Sequence, residues 1–188
     1  MQLNSSGYSF VSLYQAYPSY HGASDITYNL FNRWPNKNKV LIQITKSKLK
    51  KRKIINIKKK DGLIGFLINI FLSSFKIKKF LKTYEKRYLI IEGASWVGFS
   101  LVLIILVKIL LKNVVIIYHA HNLEFEVRKL KNNFIISLLT FYFEKFIYNK
   151  CIGTSVSEKD KKFILNNYNA KSILFENGVT EIKEEKIN

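Results

Sequence analysis

The chain has 188 residues and a formal net charge of +18, and its residues are 48% hydrophobic with only two prolines. This composition excludes an intrinsically disordered chain, and the length suits one domain. The single cysteine, Cys151, excludes a disulfide framework and a cysteine-based zinc site, and it indicates a reducing compartment. The surplus positive charge favours anionic partners such as a membrane surface, nucleic acid or a phosphorylated ligand.

Apolar runs alternate with turn-forming residues along the chain, and this pattern predicts alternating strands and helices. In chain order the predicted elements are strand Tyr8–Tyr14, helix Ala23–Trp34, strands Lys39–Thr45 and Lys53–Lys58, helix Gly62–Tyr84, strand Tyr88–Glu92, helix Val97–Lys112, strand Val114–Tyr118, helices Leu123–Lys131 and Asn133–Lys150, strand Cys151–Thr154, helix Ser157–Tyr168 and strand Ser172–Phe175. Asp61 and Ser157 are the predicted N-caps of two of these helices. The order predicts an α/β fold with a Rossmann-like, doubly wound and mostly parallel sheet over residues 1–179, followed by a polar linker or tail over residues 180–188.

The most apolar segment, Trp96–Leu111, is interrupted only by Gly98, Ser100 and Lys108. A membrane-spanning helix needs about 20 apolar residues, so we predict a core helix here rather than a span. The first seven residues have neither a basic nor an apolar region and do not form a secretory signal. Two dense lysine tracts lie at residues 46–60 and 76–87. We expect a cytoplasmic protein in which these tracts are either solvated surfaces of a lysine-rich chain or sites of peripheral attachment to the inner face of the plasma membrane.

Ligands of parallel α/β sheets bind beyond the carboxyl ends of the strands. That rule selects four loops: Gln15–Ala23, Glu92–Ser95, His119–Glu124 and Thr154–Ser157. All three histidines, His21, His119 and His121, fall in two of these loops. Imidazoles at strand ends can hydrogen-bond sugar hydroxyls or phosphates.

A zinc site is an alternative interpretation of the same histidines. His119 and His121 together with Glu124 or His21 are ligand types that suit zinc, but the His-x-His spacing is a weak signal and we expect no metal. The chain also has no P-loop, no dinucleotide-binding fingerprint and no nucleophile elbow.

Four short segments, in order, resemble motifs of the N-terminal domain of glycosyltransferase family 4, whose GT-B fold has two facing Rossmann-like domains. They are Tyr17–Ala23, similar to a first loop with a proline and a glycine pair; Tyr118–Glu124, similar to His-Asn-x-Glu; Thr154–Asp160, similar to Val-Ser-Glu; and Glu176–Val179, similar to Pro-Asn-Gly-Val. The chain departs from the family at Ala23, which replaces the second glycine, and at Glu176, which replaces the proline.

The resemblance implies a retaining transfer of a sugar from a nucleotide-sugar donor to a lipid-linked or cell-envelope polysaccharide acceptor, with no metal or other cofactor. It implies that Gly22 and Ala23 bind the donor diphosphate and that His121, and after it His119, act at the transferred sugar. His21 and Glu124 would bind the acceptor, although a first-turn carboxylate favoured by the helix dipole is the alternative for Glu124. The C-terminal donor-binding domain is missing from these residues, so we expect either an incomplete gene product or one partner of a split enzyme, whose cleft a separate donor-binding polypeptide would complete. We also expect little or no activity from the isolated chain.

Two other function classes stay open. A non-catalytic basic module that binds an anionic membrane surface or nucleic acid would show strongly salt-dependent binding. The aromatic residues, however, alternate with apolar residues rather than with lysines, so stacking platforms for bases are not apparent. A small integral membrane protein is disfavoured by the short apolar segments.

Overall fold

The computed structural model describes residues 5–48, 50–93, 96–130 and 134–175, so the predicted motif Glu176–Val179 and the tail 180–188 lie outside the described residues. The elements confirm the predicted order: β1 (Ser6–Ser12), α1 (Gly22–Arg33), β2 (Lys39–Thr45), β3 (Ile54–Lys58), α2 (Gly62–Leu81), β4 (Lys86–Glu92), α3 (Val97–Leu110), β5 (Val114–His119), α4 (Glu124–Leu130), α5 (Phe134–Lys150), β6 (Ile152–Ser155), α6 (Glu158–Phe163), a π-helical turn (Ile164–Tyr168) and β7 (Ser172–Leu174). Several bounds differ from the prediction: β1 starts and ends two residues earlier, β4 starts two residues earlier, and α2 and α3 end three and two residues earlier.

The seven described strands form one parallel sheet in the order β3-β2-β1-β4-β5-β6-β7, which confirms the Rossmann-like doubly wound fold. The chain moves outward from β1 to β3 and then returns to place β4 on the other side of β1. In the register of the central strands Ser12 pairs with Glu92, and Glu92 pairs with His119. The carboxyl ends of β1, β4 and β5 are therefore level with one another at the point where the strand order reverses.

The two faces of the sheet are covered by different helices, because successive side chains of a strand point to opposite faces. On one face Phe10, Leu41 and Ile90 pack with Phe31 of α1. On the other face neighbouring strand residues pack with buried residues of α2, α3 and α5: Val11, Ile42, Ile91, Ile70, Leu103 and Ile147. α2, α3 and α5 therefore form one helical layer on the side of the sheet opposite α1.

α3 is the predicted core helix, and it is 14 residues long. At 1.5 Å per residue it extends about 21 Å, against a hydrocarbon core of about 30 Å. Leu103, Ile104 and Val107 bury their side chains in the core of the domain. Across the described ranges, no helix has both the length and the apolar character that crossing a bilayer requires.

Of the two predicted N-cap residues, one makes a side-chain capping hydrogen bond and the other does not. Ser157 caps α6 as predicted, since its Oγ accepts a hydrogen bond from the backbone N–H of Asp160 at 3.1 Å. Asp61 is the N-cap residue of α2 as predicted, but its side chain makes no capping hydrogen bond. Its exposed carboxylate instead lies 3.4 Å from Lys46 Nζ, because a nearby ammonium competes with the helix N–H groups for the carboxylate.

Candidate functional site

A fully buried carboxylate, Glu92, forms the centre of the candidate site at the end of β4. His119 Nδ1 and His121 Nε2 both lie 3.0 Å from its Oε2 atom. Thr27 Oγ1, on α1, donates a hydrogen bond to the same oxygen at 3.1 Å. The two predicted histidines therefore share a single carboxylate oxygen, which also ties them to the first helix of the domain.

The register of β4 and β5 explains why these groups meet. His119 is the last residue of β5 and pairs with Glu92, and the backbone N–H of Gly93 donates to the His119 carbonyl oxygen at 2.8 Å. A Cβ atom on Gly93 would lie 2.8 Å from the Tyr118 hydroxyl oxygen and 3.1 Å from the His119 carbonyl oxygen. The close approach of the two strand ends therefore requires a glycine at position 93.

The charge of Glu92 is set by two opposing effects. Burial alone would raise the pKa of the carboxyl, but the charge of His119 and hydrogen bonds from both imidazoles outweigh burial and lower the pKa to about 2. The carboxylate is therefore ionised at neutral pH, so each imidazole directs an N–H toward it. His119 Nε2, His121 Nδ1 and Glu92 Oε1 are buried without a hydrogen-bond partner within the described part of the chain. Because buried polar atoms are rarely left without partners, these atoms are candidate ligand contacts.

The same three residues could hold a metal ion, since one ligand atom from each lies within 4.8 Å of the others. Two histidines and one carboxylate are a ligand set that zinc uses. In this geometry, however, the carboxylate oxygen already accepts hydrogen bonds from both imidazoles and from Thr27. Hydrogen bonding alone accounts for the positions of these atoms, and no metal is required to explain them.

The predicted diphosphate-binding residues, Gly22 and Ala23, lie in the first turn of α1. His21 is the N-cap of α1, and its Nδ1 accepts a hydrogen bond from the backbone N–H of Ser24 at 3.0 Å. Gly22 is helical and does not adopt a positive φ. Among the described residues nothing lies within 4 Å of a Cβ atom placed on Gly22, so the helix is sterically open at this position. Helix N-termini favour anions, which suits a diphosphate.

Tyr14 connects this helix end to the buried carboxylate. Its hydroxyl donates a hydrogen bond to Thr27 Oγ1 at 2.5 Å, since the Thr27 hydrogen is directed to Glu92, and it lies 3.3 Å from the Ala23 carbonyl oxygen. The Tyr14 ring packs 5.6 Å from the His21 ring. Burial, together with the negative charge of Glu92, raises the pKa of Tyr14, so its hydroxyl keeps its proton at neutral pH. The predicted residues of the first loop and the two histidines after β5 thus belong to one connected hydrogen-bonding network.

Gln43, near the end of β2, fixes the first loop against the sheet. Its Oε1 accepts hydrogen bonds from the backbone N–H groups of Ala16 and Tyr17, and its Nε2 donates to the Tyr17 carbonyl oxygen and to Asn56 Oδ1. All four bonds are between 2.7 and 2.9 Å long. A buried amide with its donors and acceptor engaged gives this loop a defined position beside the site.

A cavity of about 240 Å³ opens beside the first loop, between the ends of β1 and β2. Polar side chains contribute much of its wall: Tyr14, Gln15, Tyr20, Thr45, Lys46 and Lys59. The two lysines and the Tyr20 hydroxyl are groups that can bind an anionic or hydroxylated ligand, whereas the Tyr14 hydroxyl is already hydrogen-bonded to Thr27.

Glu124, predicted to bind the acceptor, begins α4, and its side chain does not join the histidine cluster. Its carboxylate accepts a hydrogen bond from Arg128 Nε at 2.7 Å, one turn further along the helix. This geometry matches the alternative in which a first-turn carboxylate stabilises its own helix. An acceptor-binding role for Glu124 stays a prediction.

The N-terminus of α4 is held by a second buried carboxylate, Glu144 of α5. Its two oxygens accept hydrogen bonds from the backbone N–H groups of Glu124 and Phe125 at 2.8 and 3.1 Å, and the Tyr168 hydroxyl donates to it at 2.8 Å. Burial raises the pKa of Glu144 to about 7 in spite of these donors. The loop that carries His121 is therefore fixed at its far end by residues from later elements.

The sequence indicated the two histidines and the first loop but missed the residues that connect them, namely Glu92, Thr27, Tyr14 and Gln43. Glu92 did leave a signal, since it is a carboxylate at the end of a predicted strand, in one of the four selected loops. Its partners could not be inferred, because they are 27 or more residues away in the chain.

Comparison of the chain with known proteins adds no family assignment. No protein-family profile matches the chain, and no curated protein shows significant similarity to it. A functional assignment therefore rests on the chemistry of the residues in the site.

Proposed function

We propose that the chain is the acceptor-side domain of a retaining, nucleotide-sugar-dependent glycosyltransferase of the family 4, GT-B type. One observation carries this proposal: His119 and His121 share the buried Glu92 carboxylate at the point where the strand order reverses. Thr27 connects that carboxylate to α1, whose open N-terminus is formed by Gly22 and Ala23. Fixed hydrogen-bonding groups beside a helix N-terminus suit a sugar that is attached to a diphosphate.

In the proposed reaction, Glu92 acts as a positioning residue for the two imidazoles. Because each ring directs one nitrogen to the carboxylate, His119 Nε2 and His121 Nδ1 are left for the substrate. His121 orients the hydroxyls of the transferred sugar, and His119 assists it. The N–H groups at the start of α1 stabilise the negative charge that develops on the departing diphosphate. The N–H groups at the start of α1 are in place before the substrate binds, whereas the two imidazole nitrogens are buried and become accessible only when the residues around them move. The reaction uses no metal.

The acceptor is a lipid-linked or cell-envelope glycan that enters beside the first loop. The cavity lined by Tyr20, Lys46 and Lys59 supports an acceptor that carries hydroxyls or a phosphate. Most of the nucleotide would be held by a second Rossmann-like domain facing this edge of the sheet. We therefore expect the isolated chain to bind the sugar and the diphosphate weakly and to catalyse little or no sugar transfer.

Saturation-transfer NMR on the 188-residue chain tests the proposal with UDP-glucose, GDP-mannose and the corresponding free nucleotides as probes. We expect saturation to reach the sugar protons more strongly than the base protons, because this domain would contact the sugar and the diphosphate. H121A should reduce the transfer to the sugar about tenfold, as expected for the loss of one or two hydrogen bonds. K171A is the matched control, because Lys171 precedes β7 at the amino ends of the strands, and it should leave the transfer unchanged.

Two results would contradict the proposal. One is the absence of saturation transfer to every sugar tested, and the other is binding that H121A and K171A affect equally. Robust sugar transfer by the isolated chain would instead disprove the requirement for a second domain.

A further inference from the structure

The layer formed by α2, α3 and α5 exposes large apolar side chains on the side that faces away from the sheet. α2 contacts α3, and α3 contacts α5, so the three helices present one outward surface, which we call the outer helical face. Apolar side chains on all three helices remain largely exposed: Ile64 at 76%, Phe71 at 50%, Ile109 at 74%, Phe134 at 77% and Ile135 at 70%. Single exposed apolar residues are ordinary, but a contiguous set of them marks an interaction surface.

α2 shows that this exposure is not a by-product of core packing. Its inward side buries Ile70, Ile77 and Leu81 against the sheet. A second apolar stripe, with residues such as Ile64 and Phe71, runs along its outward side and stays exposed. An amphipathic helix would carry polar residues there, so α2 is apolar on two sides although the described residues cover only one.

The charge on this face is of one sign. All residues of α2, α3 and α5 are described, and the only carboxylate among them is Glu144, which is fully buried. Exposed lysines stand at both ends of α2, with Lys58–Lys60 before it and Lys76, Lys79 and Lys82 toward its end. The three helices therefore form a face that is apolar along its length and carries no exposed carboxylate of its own. Positive charge predominates at both ends of α2, where Asp61 and Glu85 are the exposed carboxylates beside the lysines.

An apolar cavity of about 520 Å³ lies between α4 and α5 at the border of this face. Its lining includes Phe125 of α4 and Phe134, Leu138 and Tyr142 of α5, the last three of which are also exposed on the outer helical face. A cavity with this lining suits a hydrocarbon chain better than a polar ligand.

We propose that the outer helical face binds the surface of a bilayer that contains anionic lipids. Its apolar side chains would enter the boundary between headgroups and acyl chains, while the lysines at the ends of α2 would contact lipid phosphates. An acidic protein would satisfy the lysines but not the long apolar stripe, and a second copy would bring two positive faces together. The inference does not rest on the proposed sugar transfer.

Co-sedimentation of the whole chain with vesicles tests this inference, using phosphatidylcholine alone or mixed with phosphatidylglycerol. We expect binding to the mixed vesicles that weakens as salt is raised. The double variant I64E/F71E should lower the partition coefficient at least about tenfold, because two apolar side chains would no longer be buried. The apolar control is I173E, which alters a residue that is 59% exposed on β7, and it should bind as the unaltered chain does.

A charge-matched pair tests the role of the lysines. K79Q/K82Q should weaken binding to the mixed vesicles by about fivefold for each lysine removed. K37Q/K171Q removes the same charge elsewhere and should have a smaller effect. All of these positions are exposed, and thermal unfolding of each variant checks that it folds.

Three outcomes would overturn the inference: equal binding to neutral and mixed vesicles, equal losses in the variants and their controls, or a lipid-free dimer that I64E/F71E dissociates. The last outcome would assign the face to a second copy of the chain. None of them changes the saturation transfer to sugars, so a failure of this inference is distinguishable from a failure of the proposed function.

Discussion

Glu92 and His119 are register partners at the ends of adjacent parallel strands, and their side chains meet at 3.0 Å in an interior that excludes water. The pair is therefore positioned by the hydrogen-bond ladder of the sheet rather than by a loop. His121 lies two residues beyond the strand and reaches the same carboxylate oxygen. A site built on strand ends keeps its geometry better than one built on loops alone, which suits a binding or catalytic role.

Removing the carboxylate should destabilise the fold. E92A leaves the donors of His119, His121 and Thr27 without their buried acceptor, and we expect a loss of about 3–5 kcal/mol in the free energy of unfolding at pH 7. E92Q keeps an oxygen acceptor, so its loss should be smaller, about 1–3 kcal/mol. Urea unfolding measures both. The control is E158Q, since Glu158 is exposed and its ion pair with Lys161 should contribute less than about 1 kcal/mol. Equal effects of E92A and E158Q would contradict the assigned geometry.

Lowering the pH should remove the stabilisation that the ionised Glu92 carboxylate provides. The pKa of Glu92 is about 2 in the folded chain against 4.5 ordinarily, so the unfolded chain takes up the proton first as the pH falls. The stabilisation is complete above pH 4.5 and is lost as the pH falls toward 2, a change on the order of 3 kcal/mol. Urea unfolding across this range should show the slope in the unaltered chain and a flatter slope in E92Q. An unchanged slope in E92Q would show that other groups cause it.

Glu144 should give the opposite pH dependence, with the free energy of unfolding decreasing as the pH rises. Its pKa of about 7 lies above the ordinary 4.5, so the folded chain holds this proton more tightly. The stability associated with the protonated form is complete below pH 4.5 and decreases as the pH rises through 7, again by an amount on the order of 3 kcal/mol. E144Q cannot ionise and should remove that decrease. If E144Q and the unaltered chain lose stability in parallel between these pH values, the assignment to Glu144 is wrong.

Gly93 offers a steric test of the contact between β4 and β5. A methyl group in G93A would overlap the Tyr118 hydroxyl and crowd the His119 carbonyl oxygen, so we expect a loss of about 1–3 kcal/mol in urea unfolding. Y118F should rescue G93A only slightly, because it removes the hydroxyl oxygen but keeps the ring carbon at 2.9 Å and the backbone contact. G22A is the matched control, since a methyl group there meets nothing within 4 Å. A loss in G22A as large as that in G93A would contradict this account.

The fold was predictable because each strand is a short apolar run between clear turn residues. The error at β1 shows the limit of that pattern. Leu13 and Tyr14 are apolar and extend the run, but they lie beyond the strand, where Leu13 packs into the core and Tyr14 turns toward Thr27. Hydrophobic periodicity reports burial, and a buried loop residue gives the same signal as a strand residue.

The site was only partly predictable, for a related reason. His119 and His121 could be located because the strand-end rule needs only the order of elements. Their pairing with Glu92 depends on the register of β4 against β5, and the contact with Thr27 depends on how α1 lies over the sheet. Neither quantity is encoded locally in the sequence. The open helix end at Gly22 and the uncovered side of α2 are likewise properties of packing.

The hydrogen bonds that fix the start of α4 have a consequence for the order in which the site can form during synthesis. Glu144 lies 20 residues after Glu124, whose N–H it accepts, and Tyr168, which donates to Glu144, lies 24 residues further on. A chain that leaves the ribosome from its N-terminus exposes the loop after β5 well before these two residues are available. The segment from His119 to Glu124 would therefore remain open in the nascent chain until the π-helical turn has emerged, so a ligand of this site should bind only after nearly the whole domain has been made.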